Sequence, residues 1–326
     1  MEKKIIAITM GDAAGIGPEV IVKALGNPKI YDLCSPLVIG DRGVIDNTIK
    51  LLSSSLSLHT VKSINAVEGR YGVIDILDLQ NLRGEIIPGK ISADCGRAAM
   101  EYIARAAEVT GNGEAAAMAT APINKESVAR AGYLDTGHMK YLARITGTTE
   151  YAAMLMTGPL RVVHLSDHYS LKEACDLVKR ERILAKLKLI RDSFLKWNLN
   201  DPRIGVAALN PHGSDGGLFG NQEETEILPA VNDAKKQGIN AAGPYPADSI
   251  FNRAISGEFD VVLAMYHDQG HIAVKVHGFE NSVAVTLGLP FVRTSVDHGT
   301  AFDIAGKGIA DHQSMIEAIV TAVELS

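Results

Sequence analysis

The sequence predicts an α/β protein with a mainly parallel β-sheet covered by helices. Short apolar runs typical of buried strands alternate with longer amphipathic or alanine-rich runs typical of helices. The 326 residues are 46% hydrophobic, which is enough for a large core. The length allows either one large α/β domain or two lobes, and no repeat or obvious linker marks a boundary.

The first half of the chain opens with a buried strand at 5–10, and Pro18 and Glu19 suit the first turn of a helix at 18–25. A second strand is predicted at 37–40. An alanine-rich helix at 92–110 ends before Gly111, and a helix at 124–131 ends before Gly132. The remaining elements of this half are a strand at 115–120 and a helix at 137–145.

In the second half, two strands at 151–156 and 160–165 flank a Thr-Gly-Pro turn, and a long amphipathic helix is predicted at 170–197. Apolar runs predict further strands at 205–209, 261–266, 283–287 and 291–295, and amphipathic runs predict helices at 222–237 and 313–324.

Composition limits the partners and the compartment. The net charge of −6, without a basic stripe, argues against nucleic acid and membrane surfaces as partners. No run reaches the ~18 apolar residues of a membrane helix. The short apolar run near the N-terminus is expected to be a first strand rather than a signal peptide. Three scattered cysteines fit a reducing compartment, so we expect a cytoplasmic protein.

Three histidines follow apolar strand-like runs, namely His164, His212 and His267. Ligands bind at strand ends in open α/β sheets, and neutral imidazole is a common zinc ligand. Three histidines without a cysteine leave coordination positions open, as a catalytic metal requires. The alternative is that each histidine caps its strand and bonds to backbone.

A glycine-rich turn at 11–17 follows the first strand and precedes the first helix. Such turns can bring backbone N–H groups close to a phosphate. The spacing matches neither the Walker loop nor the dinucleotide fingerprint, so a tight turn without a ligand explains it equally well.

Residues 294–311 read TSVDHGTAFDIAGKGIAD and are similar to the cofactor loop of isopropylmalate and isocitrate dehydrogenases. The similarity implies that His298, Gly299 and Asp303 contact NAD or NADP. The alternative is a polar loop that covers the end of the sheet.

The chain as a whole resembles the 4-hydroxythreonine-4-phosphate dehydrogenase family of pyridoxal phosphate biosynthesis. The resemblance rests on TMGDAAGIGPE at 9–19, TAPINK at 120–125, LNPH at 209–212, YHDQG at 266–270 and TLGLPFVRTSVDHGT at 286–300. It implies a two-lobed α/β/α subunit, like isocitrate and isopropylmalate dehydrogenase, with the active site in the cleft between lobes. We expect one lobe at 1–137 plus 295–326, with the cofactor loop, and a second at 138–294, with the metal ligands and dimer interface.

The resemblance also implies a homodimer with shared active sites, in which His164 and His212 come from one subunit and His267 from the other. The expected reaction is NAD(P)-dependent oxidation of a secondary alcohol in a phosphorylated four-carbon acid, followed by decarboxylation. One divalent ion is expected in each site, with zinc favoured and Mg²⁺, Co²⁺ or Mn²⁺ as alternatives. Lys275 and Asp268 are the expected proton-transfer residues.

The substrate contacts that the resemblance implies are His138, Met139, Lys275, Ala284 and Arg293, which together suit a small anionic substrate. Met139 and Ala284 depart from the family's Thr and Asn, so two polar contacts are missing. This favours 4-phospho-D-threonate or 4-phospho-D-erythronate over 4-phosphohydroxy-L-threonine. The alternatives are a dehydrogenase of an aromatic cis-dihydrodiol acid and an inactive binding protein on the same scaffold.

Other polar residues have weaker expectations. His168 is expected beside the metal site or at the surface, and His271, His277 and His312 are expected to face solvent or pack. Asp248 either caps the helix that follows it or lies near the active site.

Overall fold

The computed structural model describes residues 3–326, which form two compact α/β units. The first unit comprises the chain up to Thr149 together with Leu289–Ser326, and the second comprises Glu150–Gly288. Helices and strands alternate along both units, so the predicted α/β class is confirmed.

The first unit contains six strands, all paired in parallel. Their spatial order is β3-β4-β2-β1-β5-β12. The strands are β1 (Ile5–Thr9), β2 (Ser35–Gly40), β3 (Ser57–Val61), β4 (Val73–Asp78), β5 (Ala117–Thr120) and β12 (Val292–Val296). The helices are α1 (Gly17–Leu25), α2 (Pro28–Leu33), α3 (Arg42–Leu51), α4 (Ala93–Gly111), α5 (Lys125–Arg130), α6 (His138–Thr146) and α12 (Gln313–Leu325).

The second unit has the strand order β11-β6-β7-β10-β8-β9. Its strands are β6 (Ala152–Thr157), β7 (Leu160–His164), β8 (Ile204–Ala207), β9 (Ala241–Tyr245), β10 (Val261–Ala264) and β11 (Val283–Leu287). Strand β6 runs antiparallel to both neighbours, and a two-residue turn joins it to β7. The other pairs are parallel. The helices are α7 (Leu171–Asp176), α8 (Arg180–Lys196), α9 (Leu228–Lys236), α10 (Ala247–Ile255) and α11 (His267–Gly278).

The units divide at different residues from those expected. Helix α6, with His138 and Met139, packs on α4 in the first unit, and β12, with Arg293, pairs with β5 there. The expected boundary at 137 therefore assigns α6 to the other unit, and the boundary at 294 cuts through β12. Three of the five expected substrate contacts lie in the first unit, and Lys275 and Ala284 lie in the second.

The predicted helix at 170–197 is wrong in one respect, because the structure has two helices there. Lys179 is extended, with φ −128° and ψ 142°, and it separates α7 from α8. The backbone N–H of Arg180 donates to the Glu226 carboxylate at 2.8 Å. A residue distant in sequence thus accepts a hydrogen bond from an N–H group that has no partner within the first turn of α8.

Several elements have weak sequence patterns and were not predicted. Strand β3 is mostly half-exposed, and β9 contains a glycine and a proline. Helix α11 contains Gly270 and β-branched residues, which lower helix propensity. The remaining unpredicted elements are α2, α3 and β4, whereas α10 is the helix expected near Asp248.

The second unit packs around a cluster that includes Leu160, Val162, Phe259, Val262 and Val274, so β7, β10 and α11 share one core. Packing in this core fixes the positions of β7 and β10, and polar residues lie at or just after the ends of these strands. Within residues 3–326, no helix is both long and apolar enough to cross a membrane.

Candidate active site

His164 is the last residue of β7 and is almost fully buried. In the parallel register, Ala264 at the end of β10 pairs with it, so the segment that carries His267 starts beside His164. Burial, together with the neighbouring His271 and His267, lowers the pKa of His164 to about 3. The imidazole is therefore neutral at physiological pH, which is the form that binds metals.

His267 and His271 lie one turn apart on α11, and their rings stack with centroids 3.6 Å apart. His271 Nδ1 lies 3.2 Å from His164 Nε2, and the His164 and His267 ring centroids are 6.0 Å apart. The expected packing role of His271 is thus confirmed, and its packing partners are His267 and His164. His168 lies near this group, with its ring centroid 5.7 Å from that of His267.

His212 lies in the turn Pro211–Asp215, where its φ of 55° is left-handed. Glu223 anchors the start of this turn, because one carboxylate oxygen accepts from the backbone N–H groups of Leu209 and Asn210, each at 2.8 Å. The other oxygen accepts from the Asn210 side chain at 2.8 Å. Asp248 lines the same cavity as His212 and is not the N-cap of α10, which is Pro246.

Within residues 3–326, no group of three or more His, Cys, Asp or Glu side chains is arranged to hold a metal. The donor chemistry of the three predicted ligands nevertheless suits one. His212 Nδ1 lies 3.1 Å from Asp215, and His267 Nδ1 lies 2.7 Å from Asp268. Metal-ligating histidines commonly hold a carboxylate at the nitrogen that does not bind the metal. His164 Nδ1 is buried and has no hydrogen-bond partner among the described residues.

The two expected proton-transfer residues both lie on α11. Asp268 is 72% exposed and contacts His267. Lys275 is half-buried, donates to Ser282 Oγ at 3.3 Å, and places Nζ 4.6 Å from the Phe279 ring centroid. Ala284 on β11 packs against the core of the second unit.

Arg293 forms the centre of a polar cluster in the first unit. Its side chain is buried, and Nε and Nη2 donate to Thr120 Oγ1 at 3.1 and 2.6 Å. Burial lowers the pKa of Arg293 to about 9, so the guanidinium remains charged at neutral pH. Burial and the Arg293 charge lower the pKa of His138, which is neutral as a result. His138 Nε2 is buried without a partner among the described residues, and Met139 beside it is half-buried.

The predicted cofactor residues lie on one loop between β12 and α12. Gly299 and Asp303 are exposed, and His298 is half-buried. His298 Nδ1 lies 3.0 Å from the Gly299 carbonyl, whereas Nε2 is buried and has no partner among the described residues. The loop thus holds an exposed carboxylate and an imidazole with a nitrogen that is unpartnered within residues 3–326, and these groups suit the hydroxyls of a ribose.

The glycine-rich turn at 11–17 is a packing element in this structure. Four of its backbone N–H groups, those of residues 12, 14, 15 and 16, donate to protein oxygens. A Cβ at Gly15 would lie 2.9 Å from Thr300 Cβ, and a Cβ at Gly17 would lie 2.4 Å from the Met10 carbonyl oxygen. These contacts favour the tight-turn interpretation over a phosphate loop.

The structure adds three residues to those proposed from sequence, namely His271, Thr120 and Glu223. The i, i+4 spacing of His267 and His271 is the signal that could have identified His271, once a helix is assigned there. Thr120 and Glu223 act through contacts that are distant in sequence, so no local pattern indicates them.

Comparisons with known proteins identify the family of this chain. Residues 32–322 match the family described as "Pyridoxal phosphate biosynthetic protein PdxA". A protein of Oceanobacillus iheyensis named "Putative D-threonate 4-phosphate dehydrogenase" is 45% identical over 327 residues, which cover 100% of this chain and 98% of that protein.

Two solved structures extend the comparison. A 4-hydroxythreonine-4-phosphate dehydrogenase from Burkholderia phymatum matches with a TM-score of 0.91 and 42% identity, over 100% of this chain and 99% of that chain. A terephthalate 1,2-cis-dihydrodiol dehydrogenase from Burkholderia xenovorans matches with a TM-score of 0.69 and 28% identity, over 98% of each chain. The chain therefore belongs to the PdxA family of dehydrogenases.

Proposed function

We propose that the chain is a divalent-metal- and NAD(P)-dependent dehydrogenase of 4-phospho-D-threonate or 4-phospho-D-erythronate. It oxidises the secondary alcohol of the substrate, and the resulting β-keto acid loses carbon dioxide. The observation that carries this proposal is the buried Arg293 guanidinium, which Thr120 holds beside a neutral His138.

This cluster is suited to an anion. A guanidinium that is already desolvated and held by Thr120 loses little conformational freedom when it binds a phosphate or carboxylate. A neutral His138 can donate or accept a hydrogen bond without repelling Arg293. The cluster therefore supports a phosphorylated acid as the substrate.

Substrate choice rests on two further positions. Met139 and Ala284 offer no hydrogen bond, and Ala284 packs against apolar side chains. An amino group on the substrate would find no polar partner at either position. The name of the Oceanobacillus relative, which specifies D-threonate 4-phosphate, supports the same choice over 4-phosphohydroxy-L-threonine.

The predicted ligands for the metal are His164, His212 and His267. A bound divalent ion would lower the pKa of the substrate alcohol and stabilise charge on its oxygen. The nicotinamide of NAD or NADP would accept the hydride, with His298 and Asp303 contacting the nucleotide.

Lys275 and Asp268 are the proposed residues for the two proton transfers of the reaction. The alcohol loses a hydride from carbon and a proton from oxygen, and loss of carbon dioxide leaves an electron pair on carbon that takes up a proton. Ser282 holds the Lys275 ammonium by a hydrogen bond, so a proton donor has a fixed position on α11. Asp268 orients His267 and is the proposed acceptor of the alcohol proton.

We propose that a second copy of the chain supplies His267 to each metal site. Helix α11 starts at His267 and exposes Ile272 and Val276, at 61% and 82%. Phe279, which directly follows the helix, is 69% exposed, and the i, i+4 and i, i+7 spacing of these three residues suits one face. An exposed apolar stripe of this kind indicates an interface. A homodimer formed through α11 would bring His267 to the metal site of the partner subunit.

We also propose that this enzyme is cytoplasmic, because its cysteines are free thiols.

An aromatic cis-dihydrodiol acid is the second candidate substrate. Met139 is apolar, and the Burkholderia xenovorans dehydrogenase shares 28% identity with this chain. An inactive binding protein is a weaker alternative, because Arg293, Lys275 and the three histidines are all present.

The test is a substrate panel with purified protein. NAD⁺ or NADP⁺ reduction and carbon dioxide release are measured with 4-phospho-D-threonate, 4-phospho-D-erythronate, 4-phosphohydroxy-L-threonine and a cis-dihydrodiol acid, each with Zn²⁺, Mg²⁺, Co²⁺ or Mn²⁺. We expect the highest kcat/KM with one of the two phosphorylated aldonates and equal yields of reduced cofactor and carbon dioxide. Turnover of the dihydrodiol alone would support the second candidate, and reduction of neither cofactor with any compound would contradict the proposal.

A further inference from the structure

The loop that carries His298, Gly299 and Asp303 has no regular secondary structure of its own. Residues 297–312, between β12 and α12, contain neither a helix nor a strand. A binding site on such a loop needs contacts from other elements to fix its position.

One side of α1 and the turn before it supply these contacts. The Ile16 N–H donates to the Thr300 carbonyl at 3.0 Å. The Glu19 carboxylate accepts from the Gly306 N–H at 2.6 Å, and Lys23 Nζ donates to the Ala310 carbonyl at 2.6 Å. Residues 16, 19 and 23 have i, i+3 and i, i+7 spacing, so they lie on one side of the helix.

Glu19 is the central contact of this set. Its side chain is only 3% exposed, and Oε2 has no hydrogen-bond partner among the described residues. Removing a carboxylate from water is costly unless it is hydrogen-bonded, and the Gly306 N–H supplies a charge-assisted bond. The position near the N-terminus of α1 also favours a negative charge.

Close packing against the segment around Pro88 also limits where the loop can move. Gly306 has a φ of 79°, and a Cβ there would lie 2.8 Å from Pro88 Cβ. A Cβ at Gly89 would lie 2.5 Å from the Phe302 carbonyl oxygen. Contacts with α1 and with the segment around Pro88 therefore hold the loop, and the Glu19–Gly306 bond is the carboxylate contact that α1 makes with it.

We infer that Glu19 is a positioning residue for dinucleotide binding. It holds residues 300–310 in place, so that His298 and Asp303 are ordered before the nucleotide binds. The inference rests on the proposed use of NAD(P) at this loop. Loss of the carboxylate should weaken dinucleotide binding without changing the chemical step, since Glu19 acts on the loop and is not itself a predicted proton-transfer residue.

The test uses Glu19→Ala, Glu19→Gln and a control, Glu108→Ala, which removes an exposed glutamate from α4. Calorimetry measures the Kd for NAD⁺ and NADP⁺, steady-state kinetics separate KM from kcat, and hydrogen exchange follows residues 298–311. For Glu19→Ala we expect about a tenfold rise in Kd and in cofactor KM, unchanged kcat at saturation, and faster exchange in the loop. Glu19→Gln keeps an oxygen that accepts from Gly306 and should recover most of the affinity.

Unchanged Kd in a folded Glu19→Ala protein would overturn the inference, and so would a fall in kcat with an unchanged cofactor KM. If Glu19→Ala does not fold, Lys23→Met removes only the bond to Ala310 and keeps an unbranched stem. A severalfold rise in Kd is then expected, and wild-type affinity would overturn the inference. If the wild-type protein binds neither dinucleotide, the proposed cofactor is wrong. In that case, hydrogen exchange in the loop can still establish the Glu19–Gly306 contact. The expected result is equal exchange in wild type and Glu19→Gln and faster exchange in Glu19→Ala.

Discussion

Gly270 on α11 lies so close to His164 that a Cβ at position 270 would be 2.4 Å from His164 Nε2. The same Cβ would lie 2.6 Å from Val162 Cγ1. Helix α11 can thus approach the end of β7 only because residue 270 has no side chain. This approach brings His267 and His271 beside His164.

Gly270→Ala should displace α11 or His164 and weaken metal binding. Alanine raises helix propensity by about 1 kcal/mol, but overpacking a core typically costs about 1–3 kcal/mol. We expect lower stability in urea and weaker zinc binding by calorimetry. Gly43→Ala is the control, because Gly43 is an exposed residue of α3 and its Cβ would meet only Asp41 Oδ1, at 3.2 Å. Equal behaviour of the two variants would show that the Gly270 contact has no role.

Arg293→Ala should raise the KM for a phosphorylated substrate by about 10- to 100-fold, because hydrogen bonds to charged groups contribute about 1.5–3 kcal/mol. Thr120→Val keeps the charge and removes the oxygen that holds it, so a smaller rise is expected. Steady-state kinetics at saturating cofactor measure the substrate KM of both variants. A KM that neither substitution changes would exclude Arg293 from the substrate site.

The double variant Met139→Thr with Ala284→Asn should shift preference towards 4-phosphohydroxy-L-threonine. Each substitution restores one hydrogen-bonding side chain, worth about 0.5–1.5 kcal/mol, so the ratio of kcat/KM values should change by about 5- to 100-fold. A wild-type protein that already prefers 4-phosphohydroxy-L-threonine would show that these two positions do not set the choice.

The depressed pKa of His138 predicts a loss of stability in acid. The folded pKa lies below the ordinary value of 6.5, so the unfolded chain binds a proton that the folded chain does not. Above pH 6.5, His138 therefore does not change the free energy of unfolding. Below pH 6.5, it lowers the free energy of unfolding by at most about 1.4 kcal/mol per pH unit. Urea midpoints from pH 8 to 5.5 should therefore fall more steeply for wild type than for His138→Gln. Parallel curves would contradict the assigned shift.

The sequence predicts the parts of this fold that local patterns encode. The buried strands that precede His164 and His267 are apolar runs, and Gly111 lies near the end of α4 as predicted. Half-exposed β3 and the glycine-containing α11 are not encoded in this way. Their formation depends on packing with neighbouring elements rather than on propensity.

Local sequence patterns likewise identify some features of the candidate site and not others. Motifs identify Arg293, His298 and the three histidines, but not how Thr120 holds Arg293 or how Glu223 fixes the turn of His212. Those contacts join residues 173 and 14 positions apart in the chain. Only the folded structure brings such pairs together.

The central claim is that two subunits share each catalytic site, and subunit mixing tests it directly. His212→Ala and His267→Ala proteins should each be inactive alone. After demonstrated subunit exchange, about half of the dimers are mixed and each contains one complete site, so about a quarter of wild-type activity should return. A His164→Ala and His212→Ala mixture is the control, because both ligands come from one subunit and no complete site can form. Recovery in the first mixture alone is the predicted result. No recovery, or equal recovery in both, would contradict a site built from His164 and His212 of one subunit and His267 of the other.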